Sequence, residues 1–381
     1  MGDERPRLSP ILPPGPQDGR MTTTRALAAL DRRIRGLDAA RGLALVGMLY
    51  AHAMPDGRTE TVFDGRSSIL FATIAGVSLG LMSGGERRLP PGRRGRVAVS
   101  ITIRALLLIA LGVGLALLDT PLAIILDTYG FLFLVMLPLL FLPWSVAALV
   151  GVLAVILGPL AVDALMRLHD DPSSTFGAAT RDWAYFPYEW LAGHYPALVW
   201  IAYLVIGLLI ARAGVRRTRT QIVLVAAGGA TAILVYAGAA VLGDPVREHT
   251  NTTAEALAGG ALAAAVIGLL VWLLDSAPAG MRTVLGWVTY PLRAAGSMPV
   301  TLYTAQVVAI ALVIASGIAP AGFLAWQSVP LFVTLLLASL AFASLWHILF
   351  EQGPLEWIIA RLSRQRPWRR ERPTPTPAEP E

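Results

Sequence analysis

The chain contains no cysteine, which excludes disulfides, thiolate metal sites and any acyl group carried on a cysteine thioester. Lysine is absent too: all 31 basic residues are arginine, a skew that fits codon bias in a GC-rich bacterial genome better than any chemistry. Charge of either sign is sparse. Charged residues make up 15% of the 381 positions and apolar residues 55%, values typical of a polytopic membrane protein rather than a soluble domain. The formal charge of +6 is no nucleic-acid signature. The arginines fall in short runs between apolar spans, where the positive-inside rule expects them.

Long apolar runs are abundant. Judged against the roughly 20 apolar residues a bilayer demands, ten spans are expected at about 36–54, 67–84, 97–118, 121–141, 145–165, 195–213, 221–243, 258–275, 298–318 and 326–350. With both termini cytoplasmic, the inner loops include "GGERRLPPGRRGR" and "RAGVRRTRT". The outer loops include "PDGRTETVFDG" and "GDPVREHTNTTAEAL", and carry most of the loop acids and three of the five histidines. Residues 1–33 and 364–381, rich in Pro, Gly and charge, read as disordered cytoplasmic tails around a membrane domain over 34–363. The fold expectation is all-α, with about ten helices around an internal cavity in a bacterial inner (plasma) membrane. No internal repeat argues for an inverted-repeat transporter.

Two segments stand apart from the spans. "EQGPLEWIIARLSR" breaks at Gly353 and Pro354 and then alternates apolar with charged residues, as a short amphipathic helix on the inner membrane surface would. The outer loop around Trp183, Tyr185, Tyr188 and Trp190 is aromatic enough for the headgroup layer or for a sugar-stacking platform.

Ionisable residues inside spans are costly and mark pathways or reaction sites. In "IRGLDAARGLALVGMLYAHAMPDGR", His52 follows Arg41 by eleven positions, and eleven steps of about 100° return to almost the same helix face. Asp38, Arg41, Leu45, Met48 and His52 thus form one stripe, with roughly 16 Å between Arg41 and His52 at about 1.5 Å per residue. The plainer reading makes Asp38 and Arg41 a snorkelling anchor and His52 the cap of an interfacial turn.

"RGLDAARGLALVGMLYAH" resembles the first membrane helix of the transmembrane acyltransferase superfamily, whose Arg-x10-His signature falls here on Arg41 and His52. "RSSILFATIAGVSLGLM", "HYPALVWIAYLVIGLLIAR", "GSMPVTLYTAQ" and "GPLEWIIARL" look like the bacterial branch related to heparan-alpha-glucosaminide N-acetyltransferase. The lysosomal heparan enzyme has an asparagine where His52 stands and a histidine a few residues later, whereas 53–68 holds none. His52 instead matches the sugar O-acyltransferase branch. The resemblance implies acyl transfer from cytoplasmic acyl-CoA, most simply acetyl-CoA as co-substrate, to an acceptor on the outer side. Arg41, with Asp38 beside it, would meet polar parts of CoA. His52 would act as general base or form an acyl-histidine intermediate.

Further candidates follow from position. Asp127 in "LDTYG" lies at a depth comparable with His52 and would fix its tautomer, or else pair with an arginine such as Arg66. Tyr129 would donate to a developing oxyanion. Ser297, Thr301 and Thr304, with Tyr303 and Gln306 beside them, form a polar stripe suited to a CoA channel or to interhelical hydrogen bonds. Glu189, His194 and His249 lie on the acceptor side, as substrate ligands or as solvated loop residues. "GVSLG" at Gly76 to Gly80 matches a nucleophile elbow in letters only; mid-span it reads as helix packing. "NTT" at Asn251 is a glycosylation triplet by pattern alone, and no metal-ligand spacing or phosphate loop is present.

The functional expectation is therefore an acyl-CoA-dependent transferase acting on a hydroxyl or amine of a glycan, glycolipid or small-molecule acceptor. Its expected surroundings are membrane lipids, no nucleic acid, and room for a homodimer. The rival is a small-molecule or lipid transporter using Arg41, His52 and Asp127 as a relay. A third reading is a non-catalytic partner of envelope biosynthesis enzymes.

Overall fold

A computed structural model describes residues 33–55, 60–118, 120–182, 188–317 and 326–363. The expected tails, apart from Arg33, and the aromatic residues Trp183 and Tyr185 lie outside the described residues. Among the described residues the structure is helical with no strand. The helices are α1 Arg35–Ala53, α2 Arg66–Met82, α3 Pro91–Ala116, α4 Leu126–Leu139, α5 Trp144–Asp170, α6 Thr175–Asp182, α7 Tyr188–Ala192, α8 Ala197–Ala213, α9 Thr218–Val241, α10 Thr253–Ser276, α11 Ala279–Val288, α12 Tyr290–Gly296, α13 Pro299–Ala315, α14 Val329–Leu349 and α15 Pro354–Ser363.

Five helices are long and apolar enough to cross a membrane: α3, α5, α9, α10 and α14. A sixth crossing is available if α12 and α13, bent by 88° at their junction, count as one span. The other four expected spans coincide with α1, α2, α4 and α8, which have 19, 17, 14 and 17 residues. At about 1.5 Å per residue they reach roughly 21–29 Å, just short of a hydrocarbon core of about 30 Å.

Burial separates the two groups. Short helices α1, α2 and α8 are buried along most of their length, whereas only 6% of the best apolar window of α9 and of α14 is buried. Outer helices instead expose large apolar side chains, among them Leu106, Leu149, Leu160, Leu234, Leu337 and Ile348. An exterior this apolar is what lipid solvation selects.

Small residues let the inner helices touch. Gly76 on α2 lies against the backbone of Leu204, and Gly207 on α8 lies against Thr73 and Gly76. This is the packing role expected of "GVSLG". Helix ends are closed by side chains from elsewhere. Asp275 accepts from the Arg35 and Gly36 amides at the start of α1 (3.0 and 2.8 Å). Glu356 of α15 accepts from the Val300 and Thr301 amides at the start of α13 (2.6 and 3.1 Å). Helix α15 is thus tied to the bundle by its own acid, while Trp357, Ile358 and Leu362 remain exposed.

Candidate functional site

The bundle has two chemically distinct ends. At one, Arg35, Arg212, Arg217 and Arg293 fall at helix termini. Arg212 is consumed by the carbonyls of Gly85 and Leu140 and the hydroxyl of Ser83. At the other end α1 finishes at His52 and Ala53, while α2, α4, α8, α10 and α14 begin. Helix N-termini carry partial positive charge, so this end favours negative charge that develops on a ligand.

A cavity of about 270 Å³ opens among those helix ends, lined by His52, Ser67, His194, Glu248, His249 and Gln327 together with apolar residues including Met48 and Phe63. It lies near the lower bound of roughly 300–1,000 Å³ for small-molecule sites. Three histidines from three distant segments meet there. His194 and His249 have ring centroids 4.4 Å apart, so both expected acceptor-side histidines belong to the site. Among the described residues no group of three His, Asp or Glu is arranged to hold a metal ion.

The loop bearing His249 is held from several directions. His249 and Asn251 both have left-handed backbones (φ 52° each), uncommon outside glycine and costing of order 1–3 kcal/mol where the side chain does not favour it. Glu255, in the first turn of α10, stabilises that shape by accepting from the amides of His249 (2.7 Å) and Asn251 (2.6 Å). Arg66 grips the same loop at the Val246 carbonyl (2.8 Å) and pairs with Glu60. Gly65, at φ 65°, turns the chain into α2 directly against Glu248. Burial, and then the positive environment of His194, Arg66 and His52, lower the His249 pKa to about 3, against a smaller opposing pull from Asp64. Burial also lowers that of His194. Both rings are neutral at physiological pH, each offering one donor and one acceptor.

His52 is half-buried, and its Nδ1 is buried with no hydrogen-bond partner. Its backbone is fixed: Gln327 Nε2 donates to the His52 carbonyl (2.9 Å), and the Ser328 amide donates to that of Ala53 (3.0 Å). The ring stands edge-on to Tyr303 at 6.5 Å.

Several expected roles are redistributed. Asp127 is buried and accepts from the Trp190 indole (2.7 Å), so it neither holds His52 Nδ1 nor pairs with Arg66. Trp190 stacks on Phe131 at 5.1 Å and Tyr188 on His169 at 3.9 Å, so each of these two aromatics has a protein ring against it. Tyr129 donates to the Ser68 carbonyl (3.0 Å), a scaffold bond beneath the cavity rather than one aimed at an oxyanion. Ser297 caps its own helix end through the Ala294 carbonyl (2.7 Å). Thr301 bonds Glu356. Of the stripe, Thr304 alone keeps a buried, unpartnered hydroxyl. Glu189 accepts from the His194 amide at 3.4 Å, placing it behind the cavity wall.

Arg41 faces the protein interior, bonded to Asp38 (2.8 Å) and Ser78 (2.8 Å). The stripe above it is packed: Leu45 is 1% and Met48 5% exposed. The part of the stripe between Arg41 and His52 is therefore packed against protein rather than open.

Sequence reasoning missed Glu255, although Thr252-Thr-Ala-Glu255 is a capping-box pattern that fixes where the loop ends. Thr252 does accept from the Glu255 amide (3.2 Å). Gln327 and Glu248 had no such signal.

Residues 209–365 match a family model described as a protein of unknown function (DUF418). The match covers His249, Gln306, Gln327 and Glu356 and leaves Arg41, His52, Asp127 and His194 outside it. No curated protein matches the chain.

Proposed function

We propose that this chain is a polytopic membrane acyltransferase. It moves an acyl group, most simply acetyl, from acyl-CoA at the arginine end to a hydroxyl or amine of a small or glycan acceptor seated in the three-histidine cavity. Ten passes alternate in direction if α1, α2, α4 and α8 also cross and α12–α13 count as one. The arginine end then faces the cytoplasm with both termini. The observation that carries the reading is His52: an imidazole in a cavity wall with a buried, unpartnered Nδ1. Such a group is suited to take the acceptor proton and return it to the departing thiolate.

Two features support the charge balance. Neutral His194 and His249 can orient an acceptor hydroxyl without competing for its proton. The helix N-termini favour the oxyanion formed at the carbonyl. Donor access from the Arg41 side requires Leu45 and Met48 to part, so the packed stripe serves as the closed state of a gate.

That same closed seam, with the break between α12 and α13, also favours a transporter reading, since discontinuous helices and a blocked midplane are common in secondary transporters. Titration calorimetry of detergent-purified protein with CoA and acetyl-CoA separates the two. Saturable binding at micromolar to millimolar concentration is expected, weakened about tenfold (~1.4 kcal/mol) by Arg41→Gln. Absence of CoA binding, together with a vesicle solute flux altered by Arg41→Gln and His52→Ala, would establish transport instead.

A further inference from the structure

Helix α14 starts beside the end of α1, where the Ser328 amide meets the Ala53 carbonyl, and so finishes at the arginine end of the bundle. Its 21 residues rise about 31 Å at roughly 1.5 Å each, which brings its last turn to the headgroup level of one leaflet. Phe350 leaves the helix with an extended backbone (φ −137°), and a short elbow leads into α15 at Pro354.

A cavity of about 670 Å³ opens in this elbow, with Trp346, Phe350, Glu351, Trp357 and Ile358 in its wall. That volume lies within the roughly 300–1,000 Å³ of small-molecule sites. Its chemistry is three aromatic rings and one carboxylate. The rings of Trp346 and Phe350 lie 4.7 Å apart, and the Trp346 indole is fixed by donating to the Gln352 carbonyl (3.0 Å). Glu351 is exposed and, among the described residues, has no hydrogen-bond or ion-pair partner. The neighbouring acid Glu356 is tied instead to the start of α13.

Ring faces and a carboxylate together attract a cation, the rings through their quadrupole and the carboxylate through its charge. Hard metal ions want several oxygen ligands, which rings do not offer; an organic ammonium suits both. The surroundings specify the rest of the ligand. Arg361 lies over the Trp357 ring, 5.4 Å from its centroid, one indole away from the cavity, and a guanidinium there suits a phosphate. Leu345, Ile348 and Leu349 at the end of α14 are 65%, 69% and 74% exposed, a track for acyl chains. Ammonium, phosphate and acyl chains in one molecule describe an aminophospholipid.

We propose that the α14–α15 elbow binds a phospholipid with an ammonium headgroup. Its nitrogen sits against Glu351 and the rings of Trp346, Phe350 and Trp357, its phosphate turns toward Arg361, and its chains lie along α14. Such a lipid gives α14 packing that the protein itself supplies sparingly, since only 6% of its best apolar window is buried. The elbow holds this lipid whether the chain is a transferase or a transporter.

The test is native mass spectrometry of the full-length protein in detergent with equimolar dioleoyl-phosphatidylethanolamine and dioleoyl-phosphatidylglycerol, which share chains and phosphate and differ in the ammonium. Wild type should retain the ethanolamine lipid in excess. In Glu351→Gln, whose Tm in lipid-free detergent should match wild type, the ratio of the two lipids should fall about tenfold, the loss of one charge-assisted hydrogen bond. Phe350→Leu keeps an apolar contact and removes a ring; there the ratio should fall about two- to fivefold. Equal retention of both lipids by wild type overturns the inference, leaving an apolar surface that takes any acyl chain. An unchanged ratio in folded Glu351→Gln overturns it too, placing the ammonium elsewhere.

Discussion

Gly207→Ala tests whether α2 and α8 meet as tightly as the site requires. A Cβ built at Gly207 falls 2.0 Å from the Thr73 carbonyl oxygen and 2.5 Å from the Val77 nitrogen. Ordinary contact begins at 3.4 Å, and both obstructing atoms are backbone, so no rotamer change relieves the clash. The helices must separate by roughly 1 Å or more, loosening the packing on either side. Overpacking typically costs about 1–3 kcal/mol, and a main-chain collision belongs at or above the top of that range. Gly229→Ala is the control, because nothing lies within 4 Å of its Cβ position in α9. Helix propensity there favours alanine by up to about 1 kcal/mol. Fluorescence-detected size-exclusion thermostability in detergent should give Gly207→Ala a Tm several degrees below wild type and leave Gly229→Ala at or above it. Equal Tm values for the two variants would refute the backbone contact. Because α2 contributes Ser67 and the segment leading into α8 contributes His194, a displaced pair should also disturb the cavity.

Two predictions concern the loop that carries His249. His249 binds its proton less readily folded (about 3) than unfolded (6.5), so the unfolded chain holds more protons between those values and stability falls as pH drops through that window. At pH 5 this residue alone accounts for about 2 kcal/mol relative to pH 7.5; His249→Asn, which tolerates the left-handed backbone, should flatten the Tm–pH curve by that contribution, and an unchanged slope would contradict it. Glu255→Ala strips the carboxylate from the His249 and Asn251 amides and should raise ethoxycarbonylation of His249 by diethyl pyrocarbonate, read by peptide mass spectrometry; reactivity equal to wild type would mean the loop is held without Glu255.

The sequence made the helices visible because their apolar runs are long and separated by arginine-rich or Pro/Gly-rich breaks. It made the Arg41–His52 face visible because both residues lie on one regular helix, where spacing is geometry. What it hid was tertiary. His194 and His249 come from loops 55 residues apart, and no periodicity relates them to His52. Asp127 and His52 share a depth, but depth does not specify azimuth, and Trp190 occupies the direction that mattered. Ser297 and Thr301 look like channel residues by type, yet helix ends and Glu356 claim them.

The central claim is that one imidazole turns over a thioester at the wall of the three-histidine cavity. Release of CoA thiol from acetyl-CoA, followed with a disulfide reagent, measures it directly, because a chain without cysteine contributes no thiol of its own. We predict a rate for wild type that falls about 10²–10⁴-fold in folded, monodisperse His52→Ala and is unchanged in His347→Ala, whose ring stacks on Tyr290 away from the cavity. Equal rates for wild type and His52→Ala would contradict it.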